Sequence, residues 1–333
     1  MTTSTLSQSS DLSSDTPRTS KIPMSQKVAF GIGMLANQMF PAALGIFMVI
    51  LVESLGMSPL MWGLIFFLPK LVDALTDPLM GYISDRTESR WGKRRPFVFI
   101  GAVVAGLSYI AMWQLSEDNS ITYNFWYFLG WSIVFFLGMT IFSVPYVAMG
   151  YEMSDDYHER TRLMAVAQWI GQWAWVIAPW GWVALYDPEW FASATEGART
   201  VSIYVGLICM LLAMVPAIFC DSEDTSSAEP TSDGKTLAQI FTELFKGIGI
   251  TLKNKPFQRI CAATFFIFNA YNCVAGFVFF IIVYYMNNGD PVAAGNWPAL
   301  FGSISALFTC FLVIPVVNYM AQTLGKHRTF LIT

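Results

Sequence analysis

Charged residues are scarce in this sequence, and their scarcity excludes an ordinary soluble domain. Only 13% of the 333 residues are Asp, Glu, Lys or Arg, whereas soluble domains carry about 25%. Hydrophobic residues make up 55% of the chain, and the mean hydropathy is +0.50. Several apolar runs exceed the ~18 residues that cross a bilayer core of roughly 30 Å. The composition therefore predicts an all-α polytopic membrane protein.

Residues that build active sites and metal centres are also few. The two histidines, His158 and His327, lie in polar loops, and the five cysteines form no CxxC pair. The chain has no HExxH, GxSxG or Walker sequence, so zinc hydrolysis, serine hydrolysis and ATP-driven transport are excluded. We therefore expect no enzyme activity and no cofactor.

A signal peptide is missing from the N-terminus as well. The first 26 residues are rich in Ser and Thr and lack the apolar core that a signal peptide needs. Segments of this composition cannot bury enough apolar surface to fold. Residues 1–26 are therefore predicted to be a disordered cytoplasmic tail.

Apolar runs separated by charged or Pro/Gly-rich breaks predict eight membrane spans. They group into a six-helix N-terminal bundle over 27–220, a cytoplasmic linker with an amphipathic helix over 221–258, and an incomplete C-terminal bundle over 259–333. The spans lie near 27–52, 60–84, 97–116, 124–150, 163–186, 200–220, 259–286 and 297–322, and a ninth run begins at Thr329.

Parts of the second and eighth spans repeat. The second span begins SPLMWG and is followed by RWGKRRP, while the eighth begins NWPALFG and is followed by TLGKHR. Parallel six-helix repeats occur in transporters with twelve helices. We therefore expect four further helices after Thr333, so that the chain is either a truncated piece of a twelve-helix protein or an incomplete gene product.

Positive charge is sorted to one side of these spans. Of the 19 Lys and Arg residues, all but Lys70 and Arg199 fall in the N-terminal tail or in even-numbered connections, at or next to span ends. Such loops face the cytoplasm, which predicts a cytoplasmic N-terminus in the inner (plasma) membrane. Topology explains the basic loops, so no nucleic-acid binding is expected.

Three ionisable residues interrupt the second span. Lys70, Asp73 and Asp77 follow one another at spacings of three and four residues, which places them within about 60° on a helix. Such residues are costly in a membrane, so they are expected to face the bundle interior. Two carboxylates on one face can bind a coupling cation, Na⁺ or H⁺, or share a proton. The alternative is a fixed salt bridge to a neighbouring helix.

The end of the second span carries a recognisable motif. Gly81-x-x-x-Asp85-Arg86, followed by Gly92 and a basic run, resembles the helix 2–3 loop of the major facilitator superfamily. With Asp73-Ala-Leu-Thr-Asp77-Pro in the same span, the sequence is similar to the melibiose-permease-like glycoside-pentoside-hexuronide:cation symporters. The resemblance extends over essentially the whole chain and implies the major facilitator fold.

The resemblance implies roles for individual residues. Asp73 and Asp77 would bind the coupling cation, supported by Lys70 and by Ser143, which stands where the family has an acidic residue. Gln38 and Gln168 stand where the family has charged sugar-binding residues. A galactoside of the melibiose type is therefore not the expected substrate.

Neutral polar and aromatic side chains at mid-depth suggest an uncharged polyol or glycoside. Aromatic rings pack on the C–H faces of sugars, and amides bond to hydroxyls. The alternative is that the tryptophans form an interfacial belt and that the amides bond between helices. The predicted substrate-binding residues are Asn37, Gln38, Gln168, Trp169, Gln172, Asn269 and Asn272.

A set of residues at the basic end is predicted to form a cytoplasmic gate. We expect their charges to pair across this face when the carrier opens outward and to separate when it opens inward. The alternative is that these positive charges only set the orientation of the protein in the membrane. The set comprises Gly81, Asp85, Arg86, Gly92, Lys93, Arg94, Arg95, Glu152, Arg160 and Arg162.

Three functions compete. The favoured one is cation-coupled symport of a sugar or glycoside by a monomer that contacts membrane lipid. The second is a carrier of an amphiphile such as a lysolipid. A membrane sensor or enzyme is the third, and the missing metal and nucleophile motifs speak against it.

Overall fold

The computed structural model describes residues 21–47, 49–87, 89–186, 189–220, 242, 246–247, 249–251, 253–288, 293, 296–325 and 328–329. Within these ranges the regular structure is helical. The helices are α1 (Met24–Phe47), α2 (Val49–Glu53), α3 (Pro59–Arg86), α4 (Arg95–Met112), α5 (Ile121–Glu152), α6 (Tyr157–Ile177), α7 (Trp180–Tyr186), α8 (Ala194–Phe219), α9 (Lys255–Phe280), α10 (Trp297–Phe308) and α11 (Ile314–Thr323). Wider π-helical turns, Ile281–Met286 and Thr309–Val313, follow α9 and α10.

The predicted spans coincide with these helices because the same features begin and end them. Ser58 and Ser120 cap α3 and α5, each accepting a hydrogen bond from the backbone N–H three residues on, as N-cap serines commonly do. Within the described residues, six helical segments are long and apolar enough to cross a membrane. The all-helical fold class is confirmed.

The N-terminal half is a bundle in which α4 and α5 make the closest approach. A Cβ at Gly101 would overlap the backbone nitrogen of Phe142, and one at Gly138 would lie 2.7 Å from that of Ala105. Only glycine allows these two backbones to touch. Helix α1 packs between α6 and α8, and α3 packs on α5. This arrangement sets α3 and α5 side by side, where the ionisable residues lie.

Two apolar clusters fill the N-terminal bundle, one near each end. Phe40, Tyr109, Trp113 and Phe135 pack in the first. The second contains a stack of Phe30, Tyr146 and Phe142. These clusters hold the helices whose polar faces form the candidate site.

The described C-terminal residues contact the N-terminal bundle near α6 and near α2. Helices α10 and α11 pack on α6, and α10 also packs on α7, where the Trp180 indole donates to the Ser303 hydroxyl over 3.0 Å. The turn after α9 meets the end of α2, where the Tyr284 hydroxyl donates to Glu53 over 2.8 Å.

The predicted N-terminal tail and the predicted linker helix are only partly covered by the described residues. Helix α1 begins at Met24, so the tail predicted over 1–26 ends a few residues too late. The Pro23 carbonyl accepts hydrogen bonds from the N–H groups of Gln26 and Lys27 and starts the helix. Residues 1–20 and most of the predicted amphipathic linker helix lie outside the described residues.

Candidate functional site

Two carboxylates of α3 meet one hydroxyl of α5. The Thr140 hydroxyl oxygen lies 2.6 Å from an oxygen of Asp73 and 2.9 Å from an oxygen of Asp77. Thr140 is buried, and the two aspartates are half-buried. One full helical turn separates the aspartates, so both reach the same point on the neighbouring helix. The structure thus brings the predicted coupling residues together around a threonine.

The two close contacts at the Thr140 hydroxyl are favourable together only if one proton or one cation is also bound there. A threonine hydroxyl carries one hydrogen, so it donates to only one of the two carboxylates. The other close contact is favourable only if that carboxyl group is protonated and donates to the Thr140 oxygen, or if a cation binds beside it. The residues therefore fit a proton or a small oxygen-seeking cation.

Neighbouring polar groups complete this cluster. The Lys70 ammonium lies 3.8 Å from Asp73 and 4.6 Å from the centroid of the Phe136 ring. The Thr76 hydroxyl donates to the Val72 carbonyl of its own helix over 3.1 Å and lies 3.4 Å from the Thr140 hydroxyl. Because its ammonium lies near Asp73, Lys70 can compensate one of the two negative charges of the aspartates.

Ser143, predicted to support the cation site, stays close to it. It follows Thr140 by one helical turn on α5 and is half-buried. By helical spacing it shares the face that α5 turns toward α3.

Helix α6 presents three different faces. The first, with Gly171 and Ala174, is buried in the bundle, where Gly171 packs against α1. The second faces the π-helical turn after α10: Trp169 and Trp173 both make edge contacts with Phe311 of that turn. The third carries Gln168, Gln172 and Trp175. Trp169, predicted to bind substrate, thus packs against a neighbouring helix.

The predicted substrate residue Gln38 is tied to the third face of α6. The Trp175 indole nitrogen donates to the Gln38 side-chain oxygen over 2.9 Å. The preceding residue on α1 is Asn37, whose amide nitrogen lies 3.9 Å from the sulfur of Met34 one turn earlier. Gln38, Gln168 and Gln172 are therefore on two helices that pack together.

Of the two predicted residues of α9, Asn269 bonds within its own helix. Asn269 is exposed, and its amide nitrogen donates to the Phe265 carbonyl in the same helix over 2.8 Å. The side chain of Asn272 lies outside the described part of the chain.

At the basic end, one buried arginine joins three elements. Arg94 donates to both oxygens of Glu152, over 2.8 and 2.7 Å, to Asp85 over 2.6 Å, and to the Ser84 hydroxyl over 3.2 Å. The Lys93 ammonium lies 3.0 Å from Glu152. Asp85 and Glu152 are thus both paired with Arg94 of the basic turn in this structure.

Other predicted gate residues have separate partners. Arg86 stacks on Tyr82 at 4.3 Å, and Arg160 donates to the Ser154 carbonyl, so neither joins the Arg94 cluster through these contacts. Arg95 donates to the carbonyl of Ile218 at the end of α8. Gly92 adopts a φ of 84° in the turn, which favours glycine, and Gly81 lies on α3 close to Val144.

Arg162 belongs to a second ionic cluster. It donates to Glu159 over 2.7 Å, and Lys27 of α1 donates to the other oxygen of Glu159 over 2.9 Å. Glu159 is buried. The hydrogen bonds from Lys27 and then from Arg162 lower the pKa of the Glu159 carboxyl below its ordinary value of 4.5. This cluster ties the start of α1 to the start of α6.

Comparison with known proteins identifies the family of this chain. Residues 29–333 match the family described as MFS/sugar transport protein. The chain belongs to that family. It is a multi-pass integral membrane protein of the major facilitator superfamily, as its sequence resemblance implied.

The relatives in this family include proteins named as symporters. The chain is 25% identical to the uncharacterized symporter YnaJ of Bacillus subtilis (strain 168), over 92% of its own length and 64% of the relative. It is 24% identical to the putative glycoside/cation symporter YagG of Escherichia coli (strain K12), over 86% and 60%. A shorter match, 29% over 42% and 27%, is to the sodium-dependent lysophosphatidylcholine symporter 1 of Xenopus tropicalis. The chain thus spans less than two thirds of the length of each.

Some residues of the site escape prediction from sequence. Thr140 is one threonine in an apolar span, and its single signal is its position three residues before Ser143. Lys27 and Glu159 are 132 residues apart, and only the packing of α1 on α6 joins them. Ser84 is buried beneath Arg94 and carries no pattern of its own.

Proposed function

We propose that this protein is a secondary active transporter that couples entry of a cation, H⁺ or Na⁺, to symport of a neutral sugar or glycoside by alternating access. The observation that carries the proposal is the contact of Asp73 and Asp77 with the single hydroxyl of Thr140. Relatives named as symporters, including a putative glycoside/cation symporter, support it.

Charge balance explains how the cation controls the substrate site. Asp73 and Asp77 together carry two negative charges, of which Lys70 compensates one. A bound proton or Na⁺ compensates the other, so the loaded cluster is neutral. Because an uncompensated charge is costly inside a membrane, loading favours closure around the substrate. The cation is therefore transported together with the substrate.

Sidedness follows from the basic end of the bundle. The end that carries Arg86, Lys93 and Arg94 should face the cytoplasm by the positive-inside rule, and the N-terminus with it. We further propose that the protein works as a monomer in the plasma membrane. The Arg94 cluster then acts as a cytoplasmic gate that separates when the carrier opens inward.

Uptake into vesicles with separate ion gradients tests the proposal. We expect either a Na⁺ or a proton gradient to drive accumulation of a labelled neutral glycoside, and Asp73→Asn and Asp77→Asn to abolish accumulation. Asp118→Asn, in the exposed connection between α4 and α5, is the matched control. Accumulation by both site variants at the level of the control would overturn the coupling role.

A lysolipid carrier is the second candidate. The similarity to the sodium-dependent lysophosphatidylcholine symporter of Xenopus tropicalis favours it, as does the aromatic content of α6. The same vesicles can be offered lysophosphatidylcholine. Sodium-driven lysolipid entry with no glycoside entry would replace the sugar assignment.

A further inference from the structure

The Gln38 side chain is held at its oxygen end. A tryptophan N–H can only donate a hydrogen bond, so the atom 2.9 Å from the Trp175 nitrogen has to be the amide oxygen. This contact joins α1 to α6 across 137 residues of sequence. This hydrogen bond alone therefore identifies which end of the Gln38 amide is the nitrogen.

The nitrogen end of Gln38 lies over a glycine one turn earlier on α6. A Cβ at Gly171 would come within 2.7 Å of the Gln38 nitrogen and 2.6 Å of Met34. The missing side chain at 171 therefore makes room for the amide. Gly171 and Trp175 are four residues apart and lie on adjacent turns. Together they set both the position and the direction of the Gln38 amide.

The Trp175 ring is left with an open surface. Its N–H is bound to Gln38, yet 43% of the residue is exposed. By helical spacing Gln168 and Gln172 lie on the same face of α6. This face combines an aromatic plane with three side-chain amides. The amide nitrogen of Gln38 is a donor of two hydrogens, whereas the acidic residue expected there in related carriers would accept.

We propose that Trp175 and Gly171 position Gln38 as a hydrogen-bond donor to substrate hydroxyl oxygens, and that the Trp175 ring packs on the C–H face of a neutral pyranoside. This inference rests on the proposed sugar symport and specifies its substrate class. Gln38, Gln168, Gln172 and Trp175 carry no charge, so an anionic sugar ring placed here would gain no ion pair from them. A quaternary ammonium could contact the ring but has no acceptor for the Gln38 donor.

Equilibrium binding to the purified protein, without any ion gradient, tests the substrate class. The probes are the methyl glycosides of glucose, galactose and xylose, methyl glucuronide, and lysophosphatidylcholine in mixed micelles. We expect at least one neutral glycoside to bind more tightly than glucuronide and lysophosphatidylcholine. Tighter binding of either of those two would overturn the assignment, as would binding of none of the neutral glycosides.

A double-mutant cycle tests the positioning role with the neutral glycoside that binds best. Trp175→Phe keeps an aromatic ring but loses the N–H, and should weaken binding about threefold to tenfold, the effect of one hydrogen bond. In a Gln38→Leu background the same change should cost much less, because nothing remains to be oriented. Equal losses in both backgrounds would exclude the positioning role. Trp180→Phe, which loses an indole bond to Ser303 instead, should bind normally.

Gly171→Ala supplies a steric test that is independent of the indole. The added methyl has to displace both the Met34 side chain and the amide end of Gln38. Both side chains are flexible, so the protein should still fold, which thermal unfolding checks, while binding weakens. Gly130→Ala is the matched control, because a Cβ at 130 has nothing within 4 Å. Unchanged binding in Gly171→Ala would contradict the arrangement.

Transport measurements separate this inference from the proposed function. If the double-mutant cycle shows that Gln38 and Trp175 affect glycoside binding together, but no gradient drives accumulation, the symport proposal fails and the positioning role stands. If gradients drive accumulation and Trp175→Phe binds as well as the wild type, symport stands and the positioning role fails.

Discussion

Arg94 and Glu152 form a two-pronged ion pair, with Nε to Oε2 at 2.8 Å and Nη2 to Oε1 at 2.7 Å. The same Nη2 donates to Asp85 of α3. One guanidinium therefore joins the end of α3, the start of α4 and the end of α5. The planar fork of arginine matches this geometry, whereas the point charge of lysine does not.

The first prediction is that Arg94→Lys destabilises the protein. Lysine cannot reach both oxygens of Glu152 and Asp85 at once, and the Arg94 side chain is only 9% exposed. Loss of a charged hydrogen bond costs about 1.5–3 kcal/mol, so the thermal unfolding temperature in detergent should fall by several degrees. Arg90→Lys, at an exposed position, should leave it unchanged. Equal unfolding temperatures for the two variants would contradict the role of the fork.

The second prediction concerns the hydroxyl between the carboxylates. Thr140→Val keeps the shape of the side chain and removes the group that contacts Asp73 and Asp77. Because the lost bond is to a charged group, gradient-driven accumulation should fall by about tenfold or more, while exchange without a gradient persists. Thr140→Ser keeps the hydroxyl and should retain coupling.

Ser132→Ala is the control for this change. Its hydroxyl is also buried in α5, but it donates within the helix to Leu129. If Thr140→Val accumulates substrate as well as Ser132→Ala does, the threonine has no part in coupling.

The helices could be predicted from sequence because each span is set by local features. Apolar length, a capping serine such as Ser58 or Ser120, and a breaking glycine such as Gly92 act within a few residues. Each of the eight predicted spans therefore overlaps a helix. Within the described residues, however, six helical segments are long and apolar enough to cross a membrane, and those predicted over 163–186 and 259–286 are not among them. The start of α1 was placed late because Pro23 opens a first turn that contains polar residues and no apolar run.

The contacts within the site could not be predicted in the same way. The spacing of Asp73 and Asp77 marks one face of α3, but nothing in that pattern selects Thr140 on α5. That choice depends on how α3 packs against α5. Similarly, Trp169 and Trp175 look alike in sequence, yet the first packs on Phe311 and the second bonds to Gln38.

The third prediction is a pH dependence from Glu159. Hydrogen bonds from Lys27 and Arg162 lower the pKa of its carboxyl below the ordinary 4.5. A lowered pKa stabilises the folded state above the ordinary value, and that stabilisation is lost as pH falls through the folded value. Glu159→Gln should therefore lower the unfolding temperature at pH 7, and the gap to wild type should close as the pH is lowered below about 4.5.

Glu117→Gln serves as the control for this pH series. Glu117 is exposed in the connection between α4 and α5, so its removal should change the unfolding temperature little at any pH. A gap between wild type and Glu159→Gln that stays constant from pH 7 to below 4 would rule out the ionic origin.

The fourth prediction concerns the end of the bundle opposite the basic one. Tyr284, in the turn after α9, donates to Glu53 at the end of α2 over 2.8 Å, and this bond joins the C-terminal elements to the N-terminal bundle. Tyr284→Phe removes only the hydroxyl. A hydrogen bond of this kind is worth about 0.5–1.5 kcal/mol, so the balance between joined and separated ends should shift about twofold to tenfold toward separation.

Spin labels can measure this shift directly. With the five native cysteines replaced by alanine, labels are attached at Glu117→Cys and Tyr285→Cys, and the distance distribution is recorded. Tyr284→Phe should enlarge the long-distance population, because the α9 segment then loses its bond to α2. Tyr204→Phe, at a position on α8 that is 63% exposed, should leave the distribution unchanged. If the distribution for Tyr284→Phe matches that of Tyr204→Phe, the Tyr284–Glu53 bond does not hold this end closed, and the contacts of α10 with α6 have to do so alone.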